Sequence, residues 1–206
     1  SLIGTGPNIY NTFGPQIRGS GTGTILTIDA PTVTVENLDF NRGSATNHHI
    51  LVRYDEGASV SRGQGVAIAN CHLRNKSQNS TSGAIGTNGA WYLDIINNVF
   101  VACRIGCYIF SGASVTNGVT IRGNVFRNGS GTTDGSAQDV HILVNSGPNY
   151  NVVIDNNLFA TPLPAISGGA YLRYIQFVVG TQDGIVSNNV FASRTDLTYG
   201  AGGTGV

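Results

Sequence analysis

Asp94, Arg122 and Asp155 set two carboxylates on either side of a guanidinium in a chain that carries few charges. Two carboxylates about 5 to 5.5 Å apart can cleave a glycosidic bond with retention, and a pair about 6.5 to 9.5 Å apart can do so with inversion. Asp94 with Asp155, or Asp139 with Asp155, are the pairs that could serve. The same residues could equally form an ordinary ion pair on a surface. Asp139 and His141 are separated by one residue, Val140, so on a regular strand both would project from one face. There the acid would orient the imidazole as a general base, unless the two are simply solvated polar residues. Aromatic rings offer a third kind of chemistry, since they stack on the apolar faces of sugar rings while polar neighbours take the hydroxyls. Trp91, Tyr92 and Tyr150 form one such group; Tyr171, Arg173 and Tyr174, near Gln176, form another. Rings that cap loops or fill a subunit interface are the alternative.

Composition narrows these readings. Charged residues make up 11% of the 206-residue chain, against about 25% in an ordinary soluble domain. Eleven Lys plus Arg balance eleven Asp plus Glu, leaving no basic field for a phosphate backbone, so nucleic acid is not expected as a partner. No apolar run reaches the roughly 20 residues of a spanning helix, so membrane insertion is not expected either. The length fits a single domain over 1–206, and the missing methionine and strand-like opening Ser1-Leu2-Ile3-Gly4 suggest a piece of a longer chain. Cys71, Cys103 and Cys107 match no zinc spacing and read as small buried apolar residues. His48-His49 lacks further ligands and reads as a surface pair at a strand entry, and His72 reads as a local polar partner of Asp39. No metal site is expected. Asn75, Asn79 and Asn128 open weak glycosylation sequons in polar inserts.

The elements that must position these side chains are written in a repeat. Asn97-Asn98-Val99-Phe100, Gly123-Asn124-Val125-Phe126, Asn156-Asn157-Leu158-Phe159 and Asn188-Asn189-Val190-Phe191 are near-copies, with looser ones at Asn37-Leu38-Asp39-Phe40 and Asn70-Cys71-His72-Leu73. Five residues before each terminal position stand Val35, Ile68, Ile95, Ile121, Ile154 and Val186, which should be buried in one column. Two residues earlier stand Val33, Val66, Leu93, Val119, Val152 and Gly184. With mixed residues between them, these columns have the period-two pattern of a strand with one buried face. The Asn or Gly that follows tolerates the left-handed conformation of a sharp bend, so the strand turns there and another begins. Further strand-like stretches cover 50–52, 105–110, 140–144 and 174–179. Variable polar inserts such as 74–82 and 127–138 separate them. A repeat of 26 to 33 residues that cannot bury its own apolar face must stack on its neighbours, and this predicts an all-β, right-handed parallel β-helix of about six to seven coils. A β-sandwich would not repeat one tetrapeptide at a constant offset from the same apolar columns.

The Val-x-Ile-x-Asn-Asn-x-Phe rows resemble the β-helix repeats of the pectate-lyase-like superfamily from about Thr32 to Phe191, and the opening turns resemble those of its secreted polysaccharide-active members and of phage tailspikes. The resemblance implies a fold more than an activity. It implies a virion-associated, tailspike-like or tail-fibre-like protein that binds a host surface polysaccharide, with or without cleaving it, as a homotrimer at the virion surface or outside the cell. A secreted bacterial polysaccharide lyase or epimerase and a non-catalytic structural or adhesive β-helix are the other readings it leaves. A lyase would need acidic calcium ligands and a basic residue exposed on one strand face. Asp94, Arg122 and Asp155 fall short of the usual acidic cluster, so calcium is expected only in that case, and no other cofactor is. No polygalacturonase-like Asp-Asp or Gly-His-Gly string is present.

Overall fold

The computed structural model describes residues 2–3, 15–19, 23–41, 47–54, 63–74, 82–112, 114–127, 139–145, 147–160, 172–178 and 181–192. Every regular element among them is a β-strand, and all strand pairs are parallel. Each repeat lays one strand into each of three sheets in turn. The first sheet has eight strands, with Gln64–Ala69, Ala90–Ile96, Thr116–Arg122 and Asn149–Asp155 at its centre. The second has seven short strands, among them Asp39–Asn41, His72–Arg74, Val99–Val101, Val125–Arg127, Leu158–Ala160 and Val190–Ala192. The third has six, with Ile85–Asn88, Ile105–Phe110, Asp139–Asn145 and Leu172–Phe177 following two earlier ones. This is a solenoid-like stack whose turns are about 4.8 Å apart.

The register places like residues over like. Val35, Ile68, Ile95, Ile121, Ile154 and Val186 are successive partners across the first sheet. The first five are fully buried, whereas Val186 is 48% exposed. Burial in a stack needs a turn on both sides, and Val186 belongs to the last described one. In the second sheet Phe40, Leu73, Phe100, Phe126, Phe159 and Phe191 form one column. The rings of Phe100, Phe126, Phe159 and Phe191 lie nearly parallel with centroids 4.6 to 5.0 Å apart. Columns from all three sheets join one apolar cluster, which also takes Cys71, Cys103 and Cys107. The three thiols are free and buried. Burial pushes the Cys71 thiol up to about 11, so it behaves as a small apolar side chain.

The bend between the first and second sheets is made by Asn37, Asn70, Asn97, Gly123, Asn156 and Asn188, all with φ between 52° and 67°. Asparagine and glycine are the residues that occupy this region at least cost, which is why the repeat is written with them. The next position builds a buried amide ladder. Asn98 donates through its backbone N–H and Nδ2 to Asn124 Oδ1, Asn124 does the same to Asn157, and Asn157 to Asn189. Each Nδ2 also donates to a backbone carbonyl one turn back, those of Ile68, Ile95, Ile121 and Ile154. The ladder thereby satisfies polar groups that the bend would otherwise bury unpaired.

Candidate functional site

A second row of left-handed residues crosses the first sheet. Thr32, Gly65, Tyr92, Gly118, Asn151 and Asp183, one per turn, have φ between 54° and 70°. Pairing skips these positions: Trp91 faces Asn117 and Leu93 faces Val119, with Tyr92 and Gly118 between them out of the ladder. The row is a bulge that adds one residue to every strand and sends two successive side chains outward. Trp91 and Tyr92 therefore both project from the outer face, while Ala90 and Leu93 are buried.

Tyr92 is 58% exposed and sits at φ 54°. For a bulky residue that conformation costs about 1–2 kcal/mol, and such outliers persist where the surroundings over-determine them. Here the next turn supplies Gly118, whose missing Cβ would lie 3.0 Å from Tyr92 Cδ1. Tyr92 thus lies across the backbone of its neighbour and meets Trp91 edge-on, with ring centroids 6.3 Å apart. Trp91 in turn stacks on Tyr54 at 5.3 Å. Its indole N–H is shielded from solvent with no hydrogen-bond partner. Trp91 and Tyr54 are the backing of the cluster and Tyr92 is its exposed platform. Tyr150 shares the Trp91 column two turns on, through Asn117. Between them Asn151 Nδ2 donates to Asn117 Oδ1 at 2.9 Å.

The same face carries the acids. Arg122 and Asp155 are register partners, and Arg122 Nε donates to Asp155 Oδ2 at 3.0 Å. Asp155 Oδ1 accepts from Ser187 Oγ at 2.8 Å and from Asn188 Nδ2 at 2.9 Å. Those two hydrogen bonds, and then the Arg122 guanidinium, hold the Asp155 carboxyl below the usual carboxylate range. Three hydrogen bonds occupy most of its acceptor sites, and the lowered pKa makes it a poor proton donor. Asp94 is exposed one outward column earlier, facing Ala67 on one side and Thr120 on the other. Two turns and two residues along the strand put the Asp94 and Asp155 Cα atoms about 12 Å apart. Asp155 is held from both sides, by Arg122 in the turn between it and Asp94 and by Ser187 and Asn188 in the turn beyond.

Asp139 lies in the third sheet, in register with Leu172, whereas Asp155 lies in the first. The expectation that His141 faces outward beside it is corrected. His141 is buried, and its ring packs on Phe126 at 5.5 Å, Phe159 at 5.9 Å and Tyr174 at 6.0 Å. The alternation of the strand breaks there. Val140 and Ile105 join an outer apolar cluster with Tyr108 and Leu143, whereas Ile142 and Cys107 belong to the core. Gly106, opposite His141, has Phe126 where a Cβ would be. Burial drives the His141 pKa down to about 3, which leaves it neutral and unsuited to surface acid–base work. Tyr174 is likewise turned inward, against Phe159 and Phe191, rather than presented to a ligand. Arg173 is exposed on the third sheet, remote in the fold from Trp91, and Tyr171 lies outside the described residues.

His49 is also buried rather than at the surface, and His48 stacks on Tyr108 at 6.2 Å over Gly86. His72 does approach Asp39, at 3.6 Å, within a partly buried cluster in which Arg74 and Gln16 donate to the Asp39 carboxylate. No group of three metal-ligating side chains occurs among the described residues. The sequons at Asn75, Asn79 and Asn128 lie outside them. Sequence reasoning missed Tyr54, Asn117, Asn151 and Asp183. Asn151 and Asp183 belong to the bulge row, which has no common residue type, and only its constant offset before the Val and Leu column could have revealed it.

No protein-family model, curated protein or solved structure matches this chain.

Proposed function

We propose that the chain is a right-handed parallel β-helix that binds a surface polysaccharide on the outer face of its first sheet, as an adhesive, tailspike-like module of a virion-associated or secreted assembly. The three stacked parallel sheets support the helix, and right-handed crossovers are the rule for parallel strands. The observation that carries the binding is Tyr92, an exposed ring kept in an unfavourable backbone conformation on a flat face, backed by Trp91 and Tyr54. Asn117 and Asn151 beside it supply amide donors and acceptors suited to hydroxyls. Binding without cleavage is supported by the Asp155 carboxylate, which three hydrogen bonds hold in its ionised form, and by Asp94, which stands two turns from it. A homotrimer is supported by the outward ladder Val99, Val125, Leu158 and Val190 on the second sheet, an apolar stripe that a second and third copy could cover.

A glycan array, followed by titration calorimetry on the strongest ligand, tests the binding. Tyr92→Gly should abolish binding while leaving the melting temperature equal or higher, because the side chain is lost and the backbone strain relieved. Unchanged affinity in that variant would remove the site. Reducing-end and unsaturated-product assays should stay blank.

A further inference from the structure

The charge on the binding face says which glycans it can hold. This inference rests on the polysaccharide-binding reading above. Among the described residues, the outer face of the first sheet carries four acids, Glu36, Asp94, Asp155 and Asp183, and one cation, Arg122. That cation is already paired with Asp155. The exposed Tyr92 and the half-buried Tyr150 each have a carboxylate within reach. Asp94 stands two residues after Tyr92 on the same strand, about 7 Å along it. Asp183, exposed and left-handed, occupies the turn after Asn151 and so lies about one 4.8 Å step beyond the Tyr150 strand.

We propose that the bound polysaccharide is uncharged, and that Asp94 and Asp183 act as specificity-determining residues by excluding uronate, sulfate and phosphate groups. An anionic sugar laid on Tyr92 or Tyr150 would bring its charge within one Debye length of a like charge, with no unpaired cation among the described residues of the face to receive it. A neutral sugar meets no such barrier. Its hydroxyls both donate and accept, as carboxylates and amides require. The Asn117–Asn151 pair uses one donor and one acceptor site on itself and leaves three of each for ligand, whichever way round the amides lie. Tyr92 and Tyr150 lie two turns apart along the stack, a spacing of about 10 Å, so a glycan running parallel to the stack would meet both.

The test is a binding panel on the intact protein, with dextran, mannan, galactan and xylan as neutral probes and polygalacturonate, alginate and hyaluronate as acidic ones. Titrations are run at about 0.01 M and about 1 M salt, where the Debye length is roughly 30 and 3 Å. At least one neutral probe should bind with an affinity that changes less than about twofold between the two salts, and the acidic probes should bind at least tenfold more weakly at the low salt. An acidic probe that binds as tightly as any neutral one, and loses affinity as salt rises, would overturn the charge inference and leave the glycan-binding reading standing. Failure of every probe, neutral and acidic, would overturn both.

Discussion

At the scale of single residues, conformation and burial matter more than chemical reactivity. Asn97 is in the sequence because of its φ of 55°, and its neighbour Gly123 fills the same role without a side chain. Asn97→Gly should therefore leave the chemical-denaturation midpoint nearly unchanged. Asn97→Val should cost about 1–2 kcal/mol, because a β-branched residue is disfavoured at positive φ. His141 gives a pH signature. Its unfolded form takes up a proton below about pH 6.5, while the folded form stays neutral down to about 3. The unfolded state thus binds more protons in that window, and stability falls as pH falls through it, by about 1.4 kcal/mol per pH unit for this group. His141→Phe places a ring of similar shape among Phe126, Phe159 and Tyr174 and should flatten the slope between pH 6.5 and 3 in urea titrations. Some slope will remain. His72, whose pKa is lowered by burial against the opposing pull of Asp39, titrates in the same direction.

At the scale of elements, the unit of stability is a column that spans turns rather than a strand by itself. Phe126 is sandwiched between Phe100 and Phe159, fully buried, so Phe126→Ala should cost about 3–5 kcal/mol. Phe191 makes the same kind of stack on one side only and is 45% exposed. The same truncation there should cost less than half as much, and equal losses would mean that the last turn is covered in solution. The amide ladder and the bulge row are also column properties. Neither Asn124 nor Tyr92 can be understood within its own strand, since their partners lie one turn away in Asn157 and Gly118.

At the scale of the molecule, a stack in which each turn touches only its neighbours should lose order from its ends. The last described turn exposes Val186 and Phe191, whereas their equivalents in the turns between 64 and 160, Ile68, Ile95, Ile121 and Ile154 in one column and Leu73, Phe100, Phe126 and Phe159 in the other, are buried. Native-state hydrogen exchange should accordingly show the strongest amide protection in Ala90–Ile96, Thr116–Arg122 and Asn149–Asp155 and the weakest in Ile185–Ser187 and Val190–Ala192. Uniform protection would argue for a single cooperative unit instead.

The parallel stack, its inward columns and the asparagine bends were legible in the sequence, because apolar period and left-handed propensity are local and the repeat writes them several times over. The pairing of Arg122 with Asp155 followed from the same offsets. What only the tertiary structure decided were the places where alternation fails. His141 points inward because alternation breaks between Val140 and Ile142, opposite Gly106 and at unchanged register, so that His141 and Ile142 both face the core. Tyr92 points outward beside Trp91 because of a bulge whose residues are threonine, glycine, tyrosine, asparagine and aspartate, with no shared side chain to mark it. A bulge is stabilised by the ladder on either side of it, so its position is set by the neighbouring turns rather than by the residue that occupies it.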